Sequence, residues 1–312
     1  MARFLVTGGA GFIGSHLASA LVDQGEQVVV LDNLSTGRRE NLDHLEGKIT
    51  FIHGDLLDHD SLEEALRGVE VVYHQAALAS VPRSVAAPMD THAACVTGTL
   101  QLLDLSRAAG VRRVVYAGSS SAYGDQPFQS KREVDLPRPL SPYAAAKLAG
   151  EYYLQAFTAT YGLETVTIRY FNVFGPRQDP NSEYSAVIPK FVTAMLRGER
   201  PTIFGDGIQS RDFTFIDNVV SGNLAAAKAP GAVGRVLNVA CGSQIDLLQL
   251  VGSINRVLGT KIEPIFADRR PGDVKESLAD ISLAREILDY QPVINFDEGL
   301  RRSIDYYRSL TG

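Results

Sequence analysis

Apolar, β-branched runs recur along this 312-residue chain at Phe4 to Thr7, Gln27 to Leu31, Ile49 to Ile52, Val69 to His74, Arg113 to Ala117 and Thr165 to Tyr170, with helical stretches between them. Short, nearly continuous apolar runs alternating with helices predict strands buried on both faces of a parallel, doubly wound α/β sheet. These units fill about residues 1–172. Residues 173–312 read differently, being broken by Gly175-Pro176, Gly205-Asp206-Gly207, Pro230-Gly231 and Arg270-Pro271-Gly272-Asp273. That punctuation predicts a smaller C-terminal α/β lobe. The run Val236 to Ala240 reads as a buried strand able to rejoin the first sheet, so the two lobes are expected to interleave. The expected first domain is 1–172 with about 213–242 returning; 173–212 and 243–312 form the second lobe. No internal repeat or low-complexity tract is found.

Composition narrows the class further. Hydrophobic residues make up 45% and charged residues 21%, values of an ordinary globular protein rather than a disordered or fibrous one. Lys plus Arg number 30 against 36 Asp plus Glu, a formal charge of −6 without the basic stripe that nucleic-acid binding requires. A small anionic ligand stays possible, because a few placed arginines act locally against the average field. Cys95 and Cys241 lie far apart with no C-x-x-C, so no disulfide framework and no metal site are expected. A reducing cytoplasm fits this usage, and the apolar run at Phe4 to Thr7 is too brief for a signal segment or membrane span.

The first strand runs into Gly8-Gly9-Ala10-Gly11-Phe12-Ile13-Gly14, which holds G-x-G-x-x-G at Gly9, Gly11 and Gly14 and the wider spacing from Gly8. Glycines between a strand and a helix let backbone N–H groups and the helix dipole approach a pyrophosphate. An ordinary βα turn is the bland alternative. Asp32, eighteen residues after Gly14 at the end of the next strand, tips the balance toward a Rossmann dinucleotide site. Its carboxylate suits ribose hydroxyls and opposes a 2′-phosphate, so NAD is favoured over NADP, although Arg38 and Arg39 follow and could take that phosphate. The full cofactor set expected is Gly8, Gly11, Phe12, Ile13, Gly14, Asp32, Asn33, Ser35, Thr36, Gly37, Asp55, Leu56, Gln75, Ala76, Ala77, Tyr143, Lys147 and Tyr170.

Ser141-Pro142-Tyr143-Ala144-Ala145-Ala146-Lys147 opens a helix, with Ser141 suited to the N-cap and Pro142 to the first turn. Tyr143 and Lys147, at i and i+4, share a face, which puts an ammonium beside a phenol whose ordinary pKa is near 10. The fifth strand ends in Gly118-Ser119-Ser120-Ser121-Ala122-Tyr123-Gly124. Hydroxyls at the carboxyl end of such a strand lie where ligands bind.

With T-G-G-x-G-F-I-G, a Ser four residues before Tyr-Gly, and Y-x-x-x-K in order, the chain resembles the extended short-chain dehydrogenase/reductases over essentially its whole length. The resemblance implies Ser119 as catalytic hydroxyl, Tyr143 as general base, and Lys147 as the group that lowers the pKa of Tyr143 and bonds the nicotinamide ribose; Ser120 and Ser121 remain possible stand-ins for Ser119. Nucleotide-sugar 4,6-dehydratases carry Asp-Glu where this chain has Ser120-Ser121, and UDP-glucuronate decarboxylases carry Glu at the Ser121 position. Lacking those carboxyl groups, the chain looks like a UDP-hexose 4-epimerase, acting through a transient 4-keto sugar with tightly held NAD.

That family likeness implies a substrate set. Asn172 and the arginines Arg211 and Arg270 match diphosphate contacts; Phe204, with Gln209 beyond it, either stacks on uracil or belongs to a hairpin core. The segments Ser80-Val81-Pro82-Arg83-Ser84 and Gln178 to Pro189, including Val187, look like the bacterial branch acting on UDP-N-acetylglucosamine. Ser277, four residues after Asp273, matches a gatekeeper that is Tyr in epimerases restricted to plain hexoses, so UDP-GlcNAc and UDP-GalNAc are expected, with UDP-Glc and UDP-Gal alongside. With Ser80, Arg83, Ser119, Ser120, Ser121 and Tyr143, these residues complete the expected substrate set. A UDP-glucuronate 4-epimerase is the alternative, its carboxylate met by Arg83 or the serine triplet. A non-catalytic NAD sensor is the alternative of another class. A homodimer is also implied, through the Tyr143 helix and the long helix near 91–109, although the apolar face bearing Leu100 and Leu103 could equally be internal core.

Overall fold

A computed structural model describes residues 2–126, 130–180, 186–268 and 276–311. The strands β1 (Arg3–Thr7), β2 (Gln27–Asp32), β3 (Ile49–His53), β4 (Val71–His74), β5 (Arg113–Ser119) and β6 (Glu164–Tyr170) follow the apolar runs closely. β4 starts two residues later than its apolar run because the Val69 N–H turns back to the Leu66 carbonyl (3.1 Å), closing the preceding helix. A seventh strand, Val236–Val239, pairs with β6, and the sheet order is Val236–Val239, β6, β5, β4, β1, β2, β3, all parallel. The order reverses between β1 and β4, the switch point at which doubly wound sheets bind ligands.

Alternation along each strand builds a core on both faces. In β1, Phe4 and Val6 join one buried cluster while Leu5 joins the other. The first cluster continues from the sheet through Tyr170, Phe174 and Phe215 to Ile203, Leu250 and Ile254, so the C-terminal elements share the core of the sheet. Those elements are the helices Val187–Leu196 and Leu247–Leu258, the strand Ser210–Arg211 between Ile245–Asp246 and Glu276–Ser277, and Thr202–Phe204 paired in parallel with Ile265–Ala267. Phe204 therefore ends a parallel pair rather than a hairpin. Leu102 and Leu103 are fully buried in the second cluster, with Leu100 packed against it, so this face of the long helix is internal core. Among the described residues, no helix is long and apolar enough to cross a membrane, and no group of His, Cys, Asp or Glu could hold a metal.

Candidate active site

The turn after β1 forms the floor of a cleft of about 270 Å³. Helix α1 (Phe12–Asp23) begins here, with Gly11 as N-cap and no acidic residue in its first turn, so its N–H groups and dipole stay available to an anion. Gly14 is required by close approach: a Cβ there would run into the Gly8 carbonyl and lie 2.7 Å from the Gly9 Cα. At the end of β2, Asp32 is buried, with Oδ2 accepting the Ala10 N–H (2.9 Å) and Oδ1 the Leu34 N–H (2.8 Å). Its remaining lone pairs can accept hydroxyls at the cleft wall. Arg38 pairs with Asp179 (2.7 Å) and the Arg39 guanidinium lies 4.1 Å over the Phe51 ring, so the cations offered for a 2′-phosphate have other partners. These features fit an NAD-type dinucleotide.

Every residue expected at the cofactor lines this cleft except Gly37, which instead lies against the Asp32 carboxylate. Leu31, Leu78, Ala79, Ala94, Ala117 and Gly118 line it as well; their apolar or missing side chains gave no chemical signal in the sequence. Tyr170, at the end of β6, places its hydroxyl 3.0 Å from Asn223 Oδ1 and 3.2 Å from Gln75 Oε1. Asn223 was missed because its role depends on a helix distant in sequence.

A larger cleft, of about 920 Å³, adjoins the first, and Tyr143, Gly118, Tyr170, Ile13 and Ala79 line both. Ser141 caps the helix Pro142–Tyr161, its Oγ accepting the Ala144 N–H at 3.1 Å, which sets Tyr143 in the first turn at the shared wall. Ser119, Ser120 and Ser121 face the second cleft, with the Ser119 and Ser121 hydroxyls 2.8 Å apart. Burial pushes the Tyr143 phenol up to about 12, and a hydrogen bond with Ser119 opposes this. The same burial pulls the Lys147 ammonium below its ordinary range. The expected lowering of the Tyr143 pKa by Lys147 is therefore not seen: burial raises the phenol, and the opposing contribution comes from the Ser119 hydrogen bond rather than from the ammonium.

Asn172, Val187, Phe204, Gln209, Arg211 and Ser277 line the second cleft. Asn172 adopts φ +33°, and its Nδ2 donates to the Asp212 carbonyl (3.2 Å), so it also makes the turn after β6. Gln209 Nε2 donates to the Phe204 carbonyl (2.6 Å), and its buried Oε1 has no partner among the described residues. Arg211 and Ser277 pair in register on adjacent strands. Ser80 and Arg83 line neither cleft, contrary to expectation: the Ser80 hydroxyl accepts the Arg83 N–H (3.1 Å) as a helix cap, and the neighbouring Val81, Pro82 and Val85 line the wall instead. Arg270 and Asp273 fall outside the described residues.

Asp212 was also missed. Fully buried, it accepts N–H bonds from Cys241 (2.9 Å), Gly242 (2.9 Å) and Ala279 (3.3 Å), and burial raises its carboxyl to about 6 against those bonds. It ties the strand carrying Arg211 to the segments on either side. An acid set directly before Phe213-Thr214-Phe215 was the available signal.

A glycine turn after β1, an acid at the end of β2 and a Ser–Tyr–Lys set at the carboxyl end of β5 and on the Pro142–Tyr161 helix define a dinucleotide-dependent enzyme of the extended short-chain dehydrogenase/reductase class. The chain belongs to the NAD-dependent epimerase/dehydratase family, whose sequence model matches residues 4–240. It is 41% identical to a UDP-glucose 4-epimerase of Mycolicibacterium smegmatis, over 98% of this chain and 99% of that one. Among solved structures, it resembles a UDP-N-acetylglucosamine 4-epimerase from Methanobrevibacter ruminantium M1 in complex with UDP-N-acetylmuramic acid (TM-score 0.95, 42% identity, 99% of each chain). It also resembles a Bacillus cereus UDP-glucuronic acid 4-epimerase variant bound to NAD and a fluorinated substrate analogue (TM-score 0.92, 33% identity, 99% of each chain).

Proposed function

We propose that this protein is a UDP-hexose 4-epimerase that accepts UDP-GlcNAc and UDP-GalNAc beside UDP-Glc and UDP-Gal. The observation that carries this reading is the carboxyl-free segment Ser119 to Ser121 facing the larger cleft beside Tyr143. The one acidic side chain lining that cleft among the described residues, Glu276, sits in register with Ser210 on the second lobe. Elimination of water or loss of CO₂ would need acid and base groups that this segment lacks, whereas epimerisation needs one group that takes a proton and returns it.

Tyr143 fills that role by accepting the O4 proton as the C4–H bond breaks, with Ser119 holding the oxygen through a hydrogen bond. NAD held along the Gly8 to Gly14 turn and Asp32 would supply the acceptor and donor for the C4 hydride and a positive charge beside the phenol. Tyr143, a neutral phenol while the keto sugar is present, then gives the proton back to O4, and the Lys147 ammonium favours the phenolate form that exists before the first transfer and after the second. Phe204, Gln209, Asn172 and Arg211 hold the nucleotide end, with planar guanidinium geometry suited to the diphosphate.

Ser277 leaves room for an acetamido group. Ser277→Tyr is expected to lower UDP-GalNAc turnover about tenfold or more while changing UDP-Gal turnover little, since filling a pocket rejects the larger substrate. Proton NMR of product mixtures from a panel of UDP-sugars checks this; wild-type protein that epimerises UDP-Gal but leaves UDP-GalNAc unchanged would refute the proposed specificity. UDP-glucuronate belongs in the same panel, because the serine hydroxyls and Lys131 line the cleft where a sugar carboxylate could lie.

The proposed homodimer would use the outer face of the Tyr143 helix, where Tyr152 and Tyr153 are exposed. Sedimentation of the purified protein at micromolar concentration should give twice the chain mass, and Tyr152→Glu with Tyr153→Glu should return it to one. A wild-type monomer would refute the dimer.

A further inference from the structure

Lys147 is 2% exposed, yet no hydrogen bond or ion pair joins its ammonium to a described residue. The carboxylate one turn along the same helix, Glu151, is engaged by Arg169 at 3.1, 3.2 and 2.7 Å. What Lys147 meets is an aromatic face, its Nζ standing 4.5 Å from the centroid of the Tyr116 ring. Tyr116 is fully buried on β5, and its hydroxyl donates to the Lys147 carbonyl at 3.4 Å.

The surroundings hold this pair in place. The His74 ring lies tilted against Tyr116 with centroids 5.3 Å apart, and its nitrogens meet the Thr7 and Thr99 hydroxyls at 2.8 and 2.9 Å. Burial, with the Lys147 charge, pushes the His74 pKa down to about 3, so no second cation forms beside the ammonium. Gly150 faces the other side of the contact: a Cβ there would run into the Tyr116 hydroxyl. A mid-helix glycine is unfavourable by propensity, and here it permits the close approach of helix and strand.

An ion-paired carboxylate would hold the ammonium but cancel much of its field. A ring face attracts a cation through its quadrupole and carries no net charge, so the field of the ammonium still reaches its neighbours. We propose that Tyr116 is a positioning residue whose ring is the seat of the Lys147 ammonium, with Gly150 as the gap that lets the helix lower Lys147 onto it. This rests on the catalytic assignment of Lys147 in the proposed function.

The test replaces Tyr116 in the full-length, NAD-loaded protein by Phe and by mono-, di- and trifluorophenylalanine, which keep the ring shape while draining its face of negative charge. Tyr116→Phe should keep kcat within about twofold, with an unchanged pH profile. Each fluorine should lower kcat further, to about tenfold below Phe for the trifluoro ring, consistent with the size of a desolvated cation–π contact. The pH limb that reports Tyr143 ionisation should move to higher pH while KM for the UDP-sugar stays constant. A flat fluorine series, or a loss in Tyr116→Phe as large as in the trifluoro form, overturns the proposal. Lys147→Ala separates the two assignments: a wild-type pH profile there overturns the role of Lys147 itself, whereas an impaired Lys147→Ala beside a flat series overturns only the seat.

Discussion

Tyr143→Phe should lower kcat by about 10³-fold, within the usual range for loss of a positioned acid–base group, while NAD and UDP-sugar still bind. The size follows from the single-base character of the site. Tyr143 is the titratable side chain that lines both clefts apart from Tyr170, whose hydroxyl is already engaged with Asn223 and Gln75. Burial pushes the phenol up to about 12, so its phenolate is scarce near neutral pH, added positive charge favours it, and turnover should rise with pH as that form is populated. In Tyr143→Phe this rise should vanish together with the rate. Steady-state kinetics across pH, alongside calorimetric binding of a UDP-sugar, checks both halves. A variant that keeps wild-type turnover would remove Tyr143 from the chemistry, and one that loses substrate binding would reassign it to recognition.

Arg169→Leu is expected to destabilise the fold by about 3–5 kcal/mol, because it strands the buried Glu151 carboxylate without a partner. The two side chains are only 3% and 1% exposed, and Arg169 also lies 4.5 Å over the Tyr123 ring, whose hydroxyl donates to Asn238 at 2.7 Å. Burial acts to discharge Arg169, but hydrogen bonds and charge from Glu151 win and hold it protonated. The double variant Arg169→Leu with Glu151→Leu should recover much of the loss, since replacing both charges removes the stranded carboxylate. Denaturant titration of the wild type, both single variants and the double variant measures the coupling. Additive costs would show that the pair is not coupled.

The parallel sheet was legible because strands buried on both faces must be apolar along their whole length, and the runs from Phe4 to Tyr170 announce that directly. The Gly8 to Gly14 turn and the Tyr143–Lys147 spacing were legible for a related reason: each is a short-range pattern whose geometry a single helix or turn completes. Ser80 was ambiguous because the same hydroxyl suits a helix cap and a sugar contact, and the sequence does not say which partner is nearer. Asp212, Asn223 and Tyr116 went unread because each acts through a residue or backbone group far away in the chain. Leu103 was ambiguous because an apolar helix face looks the same whether it meets the sheet or another chain.

By itself, then, the sequence determined the sheet, the glycine turn after β1 and the helix that sets Tyr143 and Lys147 on one face, all of which depend on neighbours within a few residues. Only the tertiary structure decided which faces of those elements meet. It set Val236–Val239 beside β6, placed Tyr143 at the junction of the two clefts, and engaged Arg38 and Arg39 away from a 2′-phosphate. It also brought the Lys147 ammonium over an aromatic ring. Burial and long-range contact set these outcomes, and with them the upward shift of the Tyr143 pKa, because desolvation depends on everything packed around a group.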